Sequence, residues 1–155
     1  GHPEWIDFPR KENSWSYSYA RRQWHLVDDP ELKYSLLAGF DRDMIYLAQH
    51  YRLLEISGPA LLFQHFSDKV IAFKRAKLLF VFNFHPSKSY VDYRFEVQSG
   101  KYRMILDSDA ELYGGHGRLL PDQHYETSID VLDGGKRDLI SLYLPTRTVI
   151  ILEKL

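Results

Sequence analysis

The sequence predicts a mainly β protein: an antiparallel Greek-key β-sandwich preceded by a loop and helices. Beyond residue 58, about seven short segments alternate apolar and polar residues with the two-residue period of strands. Residues 29–56 instead repeat apolar side chains every three or four positions, the period of an amphipathic helix. A chain of 155 residues with 45% hydrophobic residues has enough material for one buried core and an appendage.

The opening segment, residues 1–27, has neither period. Pro3 and Pro9 break regular structure, and several serines favour turns. All three tryptophans of the chain, Trp5, Trp15 and Trp24, lie here. Aromatic rings beside arginines and carboxylates are typical of a sugar-binding surface, where apolar pyranose faces stack and hydroxyls accept and donate hydrogen bonds. The alternative is that these rings pack the segment onto a neighbouring body, and composition alone leaves both open.

The helical region begins at a predicted N-cap, Asp29, with Pro30 at the first helical position. Gly39 interrupts the pattern and Asp41 could cap a second helix, so the pattern allows one helix or two. The residues 57–59, Ser-Gly-Pro, predict the end of the helical region. The apolar stripe comprises Leu32, Leu36, Phe40, Met44, Leu47, Tyr51 and Leu54.

Beyond the helical region, the period of two predicts strands. They are joined by short turns, as at Ser67-Asp68, except for a long polar insertion at 107–138. The chain therefore divides into a first part, 1–57, too small to bury its stripe alone, and an all-β part, 58–155. The predicted strands are 60–66, 69–75, 77–84, 90–97, 100–107, 139–145 and 148–155.

Composition excludes several classes of function. A net charge of −1 and a sequence pI near 6.7 give no general attraction to nucleic acid or to an anionic membrane. The absence of cysteine removes disulfides and zinc-thiolate sites, and fits a cytoplasmic location. The apolar runs are too short to span a bilayer, so no membrane partner is expected. Because no methionine opens the chain, we expect it to be a fragment.

No motif in the β part predicts catalysis, a metal or a cofactor. The glycines of 113–118, YGGHGR, predict a turn rather than a phosphate loop. The stretch 107–111, DSDAE, starts like a calcium loop, but Leu112 and Arg118 stand where that loop needs Gly and Glu, leaving at most a looser ion site. His116 and His124 share a loop without a third ligand and are interpreted as surface residues.

Five stretches carry a family resemblance: GHPEWIDFPR, SYARRQWHLVDD, LLFVFNFHPSKSYVDYR, ILDSDAELYGGHGR and YLPTRTVII. Together they resemble the C-terminal part of glycogen and starch branching enzymes, in the eukaryote-like branch of the alpha-amylase family. The resemblance runs nearly end to end. It implies that 1–57 is the C-terminal remnant of a catalytic (β/α)8 barrel, a loop with helices, and that 58–155 is the amylase-type C-terminal all-β domain.

The resemblance also implies a reaction. These enzymes cleave an α-1,4 glucan bond and transfer the freed segment to a 6-hydroxyl, through a covalent glycosyl-enzyme formed on an Asp, with a Glu as acid and base and a second Asp stabilising the transition state. All three belong to barrel motifs that precede residue 1, so no catalytic residue is expected in this chain, and neither Glu4 nor Asp7 replaces them.

The resemblance implies that a set of residues in this chain lies near the glucan cleft. The implied partners are an α-glucan and the chain's own N-terminal catalytic barrel. The alternative is a stand-alone, non-catalytic glucan-binding or scaffold module. The implied substrate-binding residues are Glu4, Trp5, Arg10, Trp15, Tyr19 and Arg21.

Overall fold

The computed structural model describes residues 7–18, 20–132 and 135–155. Nine strands in two antiparallel sheets follow one α-helix in this part of the chain, which confirms the predicted mainly β fold. Helix α1 is Tyr34–His50, and the strands are β1 Ala60–His65, β2 Val70–Arg75, β3 Leu78–Asn83, β4 Tyr90–Glu96, β5 Lys101–Asp107, β6 His124–Glu126, β7 Ser128–Leu132, β8 Gly135–Leu144 and β9 Thr148–Lys154.

The helix starts later than predicted and is not divided. Asp29 caps a turn instead of a helix: its Oδ1 accepts the backbone N–H of Glu31 at 2.9 Å, and its carbonyl accepts that of Leu32 at 3.2 Å. Helix α1 then continues through Gly39, so one helix forms. A mid-helix glycine costs about 1 kcal/mol, which is small compared with the stabilisation from burying the flanking apolar side chains on the sheet.

The two sheets have the orders β1-β2-β3-β9-β5-β6 and β4-β8-β7. The chain crosses from one sheet to the other between β3 and β4, β4 and β5, β6 and β7, and β8 and β9, as a sandwich with long-range pairing requires. The long polar insertion at 107–138 contains strands that were not predicted, because β6, β7 and the start of β8 lie within it. Strands β6 and β7 form sheet edges, and the apolar residues that alternate along β7, Ile129 and Val131, are exposed rather than buried.

The core lies between the sheets. Val70, Ala72 and Val81 from the larger sheet face Ile140 and Leu142 from the smaller one, and all five are at most 1% exposed. Alternation along each strand sends every second side chain inward. The inner faces therefore form one continuous apolar layer.

Helix α1 packs on the outer face of the larger sheet. Leu47 of the helix and Leu53 just after it form a second buried cluster with Leu78, Leu106 and Ile151. The sheet thus covers part of the predicted stripe, including the half-buried Phe40. Met44 and Leu54 of the stripe remain 44% and 86% exposed, so the sheet does not cover them. Within the described ranges, no helix has the length and apolar character needed to cross a membrane.

Candidate functional site

The described part of the opening segment, 7–18 and 20–27, contains no buried side chain. Its first half is a tight turn held by polar contacts. Arg10 Nη1 lies 2.6 Å from Asp7 Oδ1, and its backbone N–H donates to Asn13 Oδ1 at 2.9 Å. Asn13 Nδ2 donates back to Phe8 O at 3.0 Å and to Asp7 Oδ2 at 3.3 Å. Asp7 is therefore engaged as a structural partner of this turn.

Trp15 closes this turn and presents its ring to solvent. Ser14 and Trp15 both adopt φ of +56°, a left-handed conformation that non-glycine residues adopt rarely and at an energetic cost. The backbone N–H of Trp15 donates to Arg10 O at 2.9 Å, which fixes the turn, and the residue is 66% exposed. An exposed indole on a fixed turn offers an apolar face on which a pyranose ring can stack.

The second half of the segment surrounds an open depression of about 630 Å³. Trp24 is 77% exposed, and the guanidinium carbon of Arg22 lies 5.9 Å from its ring centroid, within the range of a cation–π contact. The depression is lined by Ser18, Arg21, Arg22, Gln23, Trp24 and His25. Its walls combine one large apolar face with several hydrogen-bonding groups, a chemistry that suits a carbohydrate.

The six predicted site residues divide into three groups. Arg10 and Trp15 lie in the same turn, and Arg21 lines the depression. Glu4, Trp5 and Tyr19 lie outside the described residues. Arg10 braces its own turn through Asp7, so its side chain has a structural role whether or not it contacts a ligand. Binding by all six stays a prediction.

Sequence reasoning did not assign the Arg22–Trp24 pair to the site. These residues are two positions apart in a segment without strand alternation, so their spacing carries no signal that the ring and the charge meet. The signal that was available is compositional: Trp24 is a third tryptophan in a region with no apolar period to bury it. Unburied tryptophan in a loop indicates a surface role.

Helix α1, which follows the opening segment, is fixed by the loop after β5. The phenolic O–H of Tyr113 donates to Asp43 Oδ2 at 2.8 Å, and its ring meets Phe40 edge to face with centroids 5.2 Å apart. Arg42 and Tyr113 hold the pKa of the Asp43 carboxyl below its usual range. Desolvation, followed by the bond to Asp43, raises the pKa of Tyr113 to about 12, so the phenol stays protonated and keeps donating.

Asp109 organises the same loop. It is 4% exposed, and Arg118 donates to both of its oxygens, from Nε at 2.7 Å and from Nη2 at 3.0 Å. Burial pushes the pKa of Asp109 upward, but the bonds from Arg118 and from the backbone N–H of His116 lower it below the usual value. Arg118, which stands where a calcium loop needs Glu, thus supplies the positive charge that this carboxylate requires.

The glycines of this loop fit the predicted turn. Gly114 and Gly117 adopt φ of +77° and +60°. At Gly115 the constraint is space, since a Cβ would lie 2.1 Å from the carbonyl oxygen of Asp109. His116 and His124 are exposed. No three His, Cys, Asp or Glu side chains come together as a metal site in the described ranges.

A second charged group joins the end of helix α1 to the sheet. Glu153 of β9 is 6% exposed, and its oxygens lie 2.5 Å from Lys77 Nζ and 2.7 Å from Arg103 Nη2. Lys77, together with Arg103 and the phenol of Tyr51, lowers the pKa of Glu153 to about 2 despite its burial. Lys77 also lies 5.5 Å from the centroid of the Tyr51 ring. These contacts hold α1 and, through it, the opening segment.

Comparison with known proteins identifies relatives of the whole chain. It is 48% identical over 155 residues to a 1,4-alpha-glucan-branching enzyme of Equus caballus and 41% identical over 153 residues to that of Saccharomyces cerevisiae, matching 99% and 98% of this chain but 22% of each relative. A chloroplastic/amyloplastic 1,4-alpha-glucan-branching enzyme of Oryza sativa subsp. japonica is 47% identical over 135 residues, 86% of this chain and 16% of the relative. The chain thus spans less than a quarter of the relatives it matches.

A family assignment comes from the same comparison. The sequence profile of the alpha amylase C-terminal all-beta domain matches residues 62–154, which include eight complete strands and most of β1. The match covers both sheets and the core between them. The chain belongs to the family of alpha amylase C-terminal all-beta domains.

Proposed function

We propose that this chain is the C-terminal portion of a 1,4-α-glucan branching enzyme. The observation that carries the proposal is the similarity of 48% identity over 99% of the chain to a protein of that name. The reaction transfers an α-1,4-linked segment to a 6-hydroxyl, creating an α-1,6 branch on a glycogen- or starch-like glucan. The catalytic carboxylates of that reaction belong to a barrel that precedes these residues.

Within such an enzyme, we assign residues 1–57 to the end of the catalytic barrel and 58–155 to the all-β domain. The opening segment would then lie at the face of the barrel where active sites form, the carboxyl ends of its strands. Exposed Trp15 and Trp24, with Arg21, would contribute one wall of the glucan cleft. The barrel and the glucan are the proposed partners, without nucleic acid or membrane, in the cytoplasm.

A retaining transfer sets a geometric requirement that supports this division of labour. Nucleophile and acid/base carboxyl groups must lie about 5–5.5 Å apart on either side of the scissile bond. Three acidic residues of this chain that are buried or paired have structural partners: Asp7 braces a turn, Asp109 binds Arg118, and Glu153 binds Lys77 and Arg103. The role of the chain is therefore to support the barrel and shape its cleft.

The test is a branching assay on linear amylose with two proteins: the intact product of the gene and the 155-residue chain alone. We expect the intact product to create α-1,6 linkages, seen as a new anomeric proton signal and a loss of the iodine-amylose colour. The isolated chain should create none. Formation of α-1,6 linkages by the chain alone would contradict the assignment of catalysis to preceding residues. An intact product without branching activity would contradict the proposal itself.

A further inference from the structure

A small cavity lies at one end of the sandwich, close to the turns after β2 and after β4. Its volume is about 150 Å³. Three lysines line it: Lys74 of β2, Lys77 of the turn between β2 and β3, and Lys154 of β9. The described walls carry these positive charges and no carboxylate, and we call this space the lysine cavity. Its other lining residues are Leu62, Leu78, Leu79, Gln98 and Tyr102.

The strand pattern places two of these lysines at the end of the core. Ala72 of β2 and Leu152 of β9 are fully buried between the sheets. Lys74 and Lys154 follow two positions later on the same strands, so alternation directs them to the same side. Both are half-buried, and Leu79 of the core forms part of the cavity wall below them. A half-buried ammonium group has lost part of its water, so a negative partner stabilises it.

Among the residues that the structure describes, the chain supplies such a partner to one of the three ammonium groups. Lys77 Nζ lies 2.5 Å from Glu153 Oε1. Lys74 Nζ donates to a neutral group, Gln98 Oε1, at 3.2 Å. Neither Lys74 nor Lys154 forms an ion pair with a carboxylate in the described ranges. Two positive charges on the cavity wall are therefore without a counter-charge from these residues.

One acidic residue approaches the cavity from the other sheet. Burial, and after it the charge of Asp138 on β8, raise the pKa of Tyr102, so a carboxylate lies near this wall. Asp138 forms no ion pair with Lys74 or Lys154 in the part of the chain that the structure describes. The lining of the cavity keeps its net positive charge.

We infer that the lysine cavity binds a phosphate monoester. Lys74 and Lys154 contact the phosphate oxygens, and Gln98, whose side-chain oxygen is taken by Lys74, donates from its Nε2. Pockets that hold a drug-sized ligand start at about 300 Å³, twice the volume of this cavity, so it holds the phosphate group and the carbon next to it while the rest of the ligand extends into solvent. This inference goes beyond the proposed function and does not depend on it.

The number of charges and donors favours a phosphate over other ligands. A phosphate monoester carries a charge of about −1.5 to −2 at pH 7 and three strong acceptor oxygens, which match two unpaired ammonium groups and one amide. Lysine binds phosphate as a point charge and needs no bidentate geometry. A carboxylate brings one charge and would leave one lysine unpaired, whereas a neutral sugar brings none. The apolar side chains of Leu62 and Leu79 suit the carbon that carries the ester.

The test measures how fast lysine side chains are acetylated in the intact gene product, with peptide mass spectrometry as the readout. The ligand is glucose 6-phosphate. At about 10 mM ligand, a site with a dissociation constant of about 1 mM is about 90% occupied, so acetylation of Lys74 and Lys154 should slow by about tenfold. The matched control in the same sample is Lys136, exposed on β8, whose acetylation should not change.

Two variants test whether the lysines act together. Loss of one charge-assisted hydrogen bond raises the dissociation constant about tenfold, so Lys74→Gln should reduce the protection of Lys154 from about tenfold to about twofold. Lys154→Gln should have the same effect on Lys74, and Lys136→Gln should have none. Urea denaturation shows whether each variant is folded, and because the two lysines lie on different strands, a folding defect in one variant leaves the other as the test. Full protection of the remaining lysine in both variants would overturn the shared site.

Three outcomes of the labelling experiment would overturn the site itself. One is equal acetylation of Lys74 and Lys154 with and without glucose 6-phosphate. Another is the same protection by sodium chloride at equal ionic strength, which would assign the effect to general screening. The third is the same protection by glucose, which would show that the sugar and not the phosphate is bound. Branching activity is not measured here, so failure of the proposed function leaves this result interpretable.

The phosphate ester could belong to a free sugar phosphate or to a glucan chain, and a second ligand distinguishes these sources. A dextrin with one 6-phosphate group is compared with glucose 6-phosphate at the same phosphate concentration. Stronger protection of Lys154 by the dextrin would identify an ester carried on the glucan. Stronger protection by glucose 6-phosphate would identify the free sugar phosphate, and protection by neither would overturn the inference.

Discussion

The inner faces of the sandwich and the opening segment use their aromatic and apolar residues in opposite ways. In the sandwich, Phe95 and Tyr102 are 3% and 4% exposed, and Ile140 is fully buried. In the opening segment, Phe8, Trp15, Tyr17 and Trp24 are 66–77% exposed. One region therefore obtains its stability from burial, whereas the other contributes little burial to this chain.

This difference separates the residues that stabilise the fold from those that stay exposed to solvent. Burying a large aromatic side chain stabilises a fold by about 1.5–3 kcal/mol. The exposed tryptophans do not contribute this stabilisation, whereas the buried side chains of the sandwich core do. The opening segment is instead ordered by polar contacts such as Asp7–Arg10 and by helix α1, which the sheet holds. The sandwich therefore holds helix α1 and, through it, the exposed opening segment.

The largest expected effect is in the sandwich core. Ile140→Ala removes a fully buried side chain and leaves a cavity, which should lower the free energy of unfolding by about 2–5 kcal/mol. Ile129→Ala, the exposed control on β7, should change it by less than about 0.5 kcal/mol. Urea denaturation followed by far-UV circular dichroism measures both. Similar losses for the two variants would contradict the assignment of the core.

The next effect concerns the Glu153 group between helix α1 and the sheet. Because the folded-state pKa of Glu153 is about 2, below the ordinary 4.5, its ionised form stabilises the fold above pH 4.5, and this stabilisation is lost as the pH falls toward 2. Glu153→Gln should therefore be less stable than wild type at pH 7 by on the order of 2 kcal/mol. The difference should shrink between pH 4.5 and 2.

Urea denaturation at a series of pH values, with both proteins side by side, tests this dependence. The lowered pKa of Asp109 contributes to acid sensitivity in the same direction, so only the difference between the two proteins isolates Glu153. A difference that stays constant from pH 7 to 2 would show that Glu153 is not ionised against Lys77 and Arg103 in the folded state.

The β-sandwich could be predicted because most of its strands carry a local signal. Strands β3 and β9 are short apolar runs, and β4 and β5 alternate. Strand β6 has only three residues, and the alternation of Ile129 and Val131 along β7 falls within a stretch that is otherwise polar. Strand β6 pairs with β5, a partner distant in sequence, with Tyr125 opposite Tyr102, whereas β7 pairs with β8, the next strand along the chain. The position of β6 and β7 at sheet edges also removes the need for buried residues on both sides.

The candidate site was predictable in composition but not in arrangement. The concentration of tryptophan and arginine indicated a surface, whereas the proximity of Arg22 to Trp24 depends on the path of the loop. The start of α1 was missed for a related reason: Asp29 and Pro30 suit a helix and a turn equally, and side-chain bonding to nearby backbone favoured the turn. Long-range charge pairs such as Arg103–Glu153 have no sequence period at all.

Among these predictions, Trp15→Ala should have the smallest effect on folding and the greatest effect on glucan binding. Trp15 is 66% exposed, so Trp15→Ala should change the free energy of unfolding by less than about 0.5 kcal/mol. In the intact gene product, loss of one stacking face should weaken binding to glycogen about fivefold, equivalent to about 1 kcal/mol. Affinity electrophoresis in glycogen-containing gels measures this change, with Leu120→Ala, 74% exposed on the loop after β5, as the control. Unchanged migration of the Trp15 variant would mean that the exposed ring has no role in glucan binding. A large loss in the free energy of unfolding would mean that the opening segment is part of the folded core.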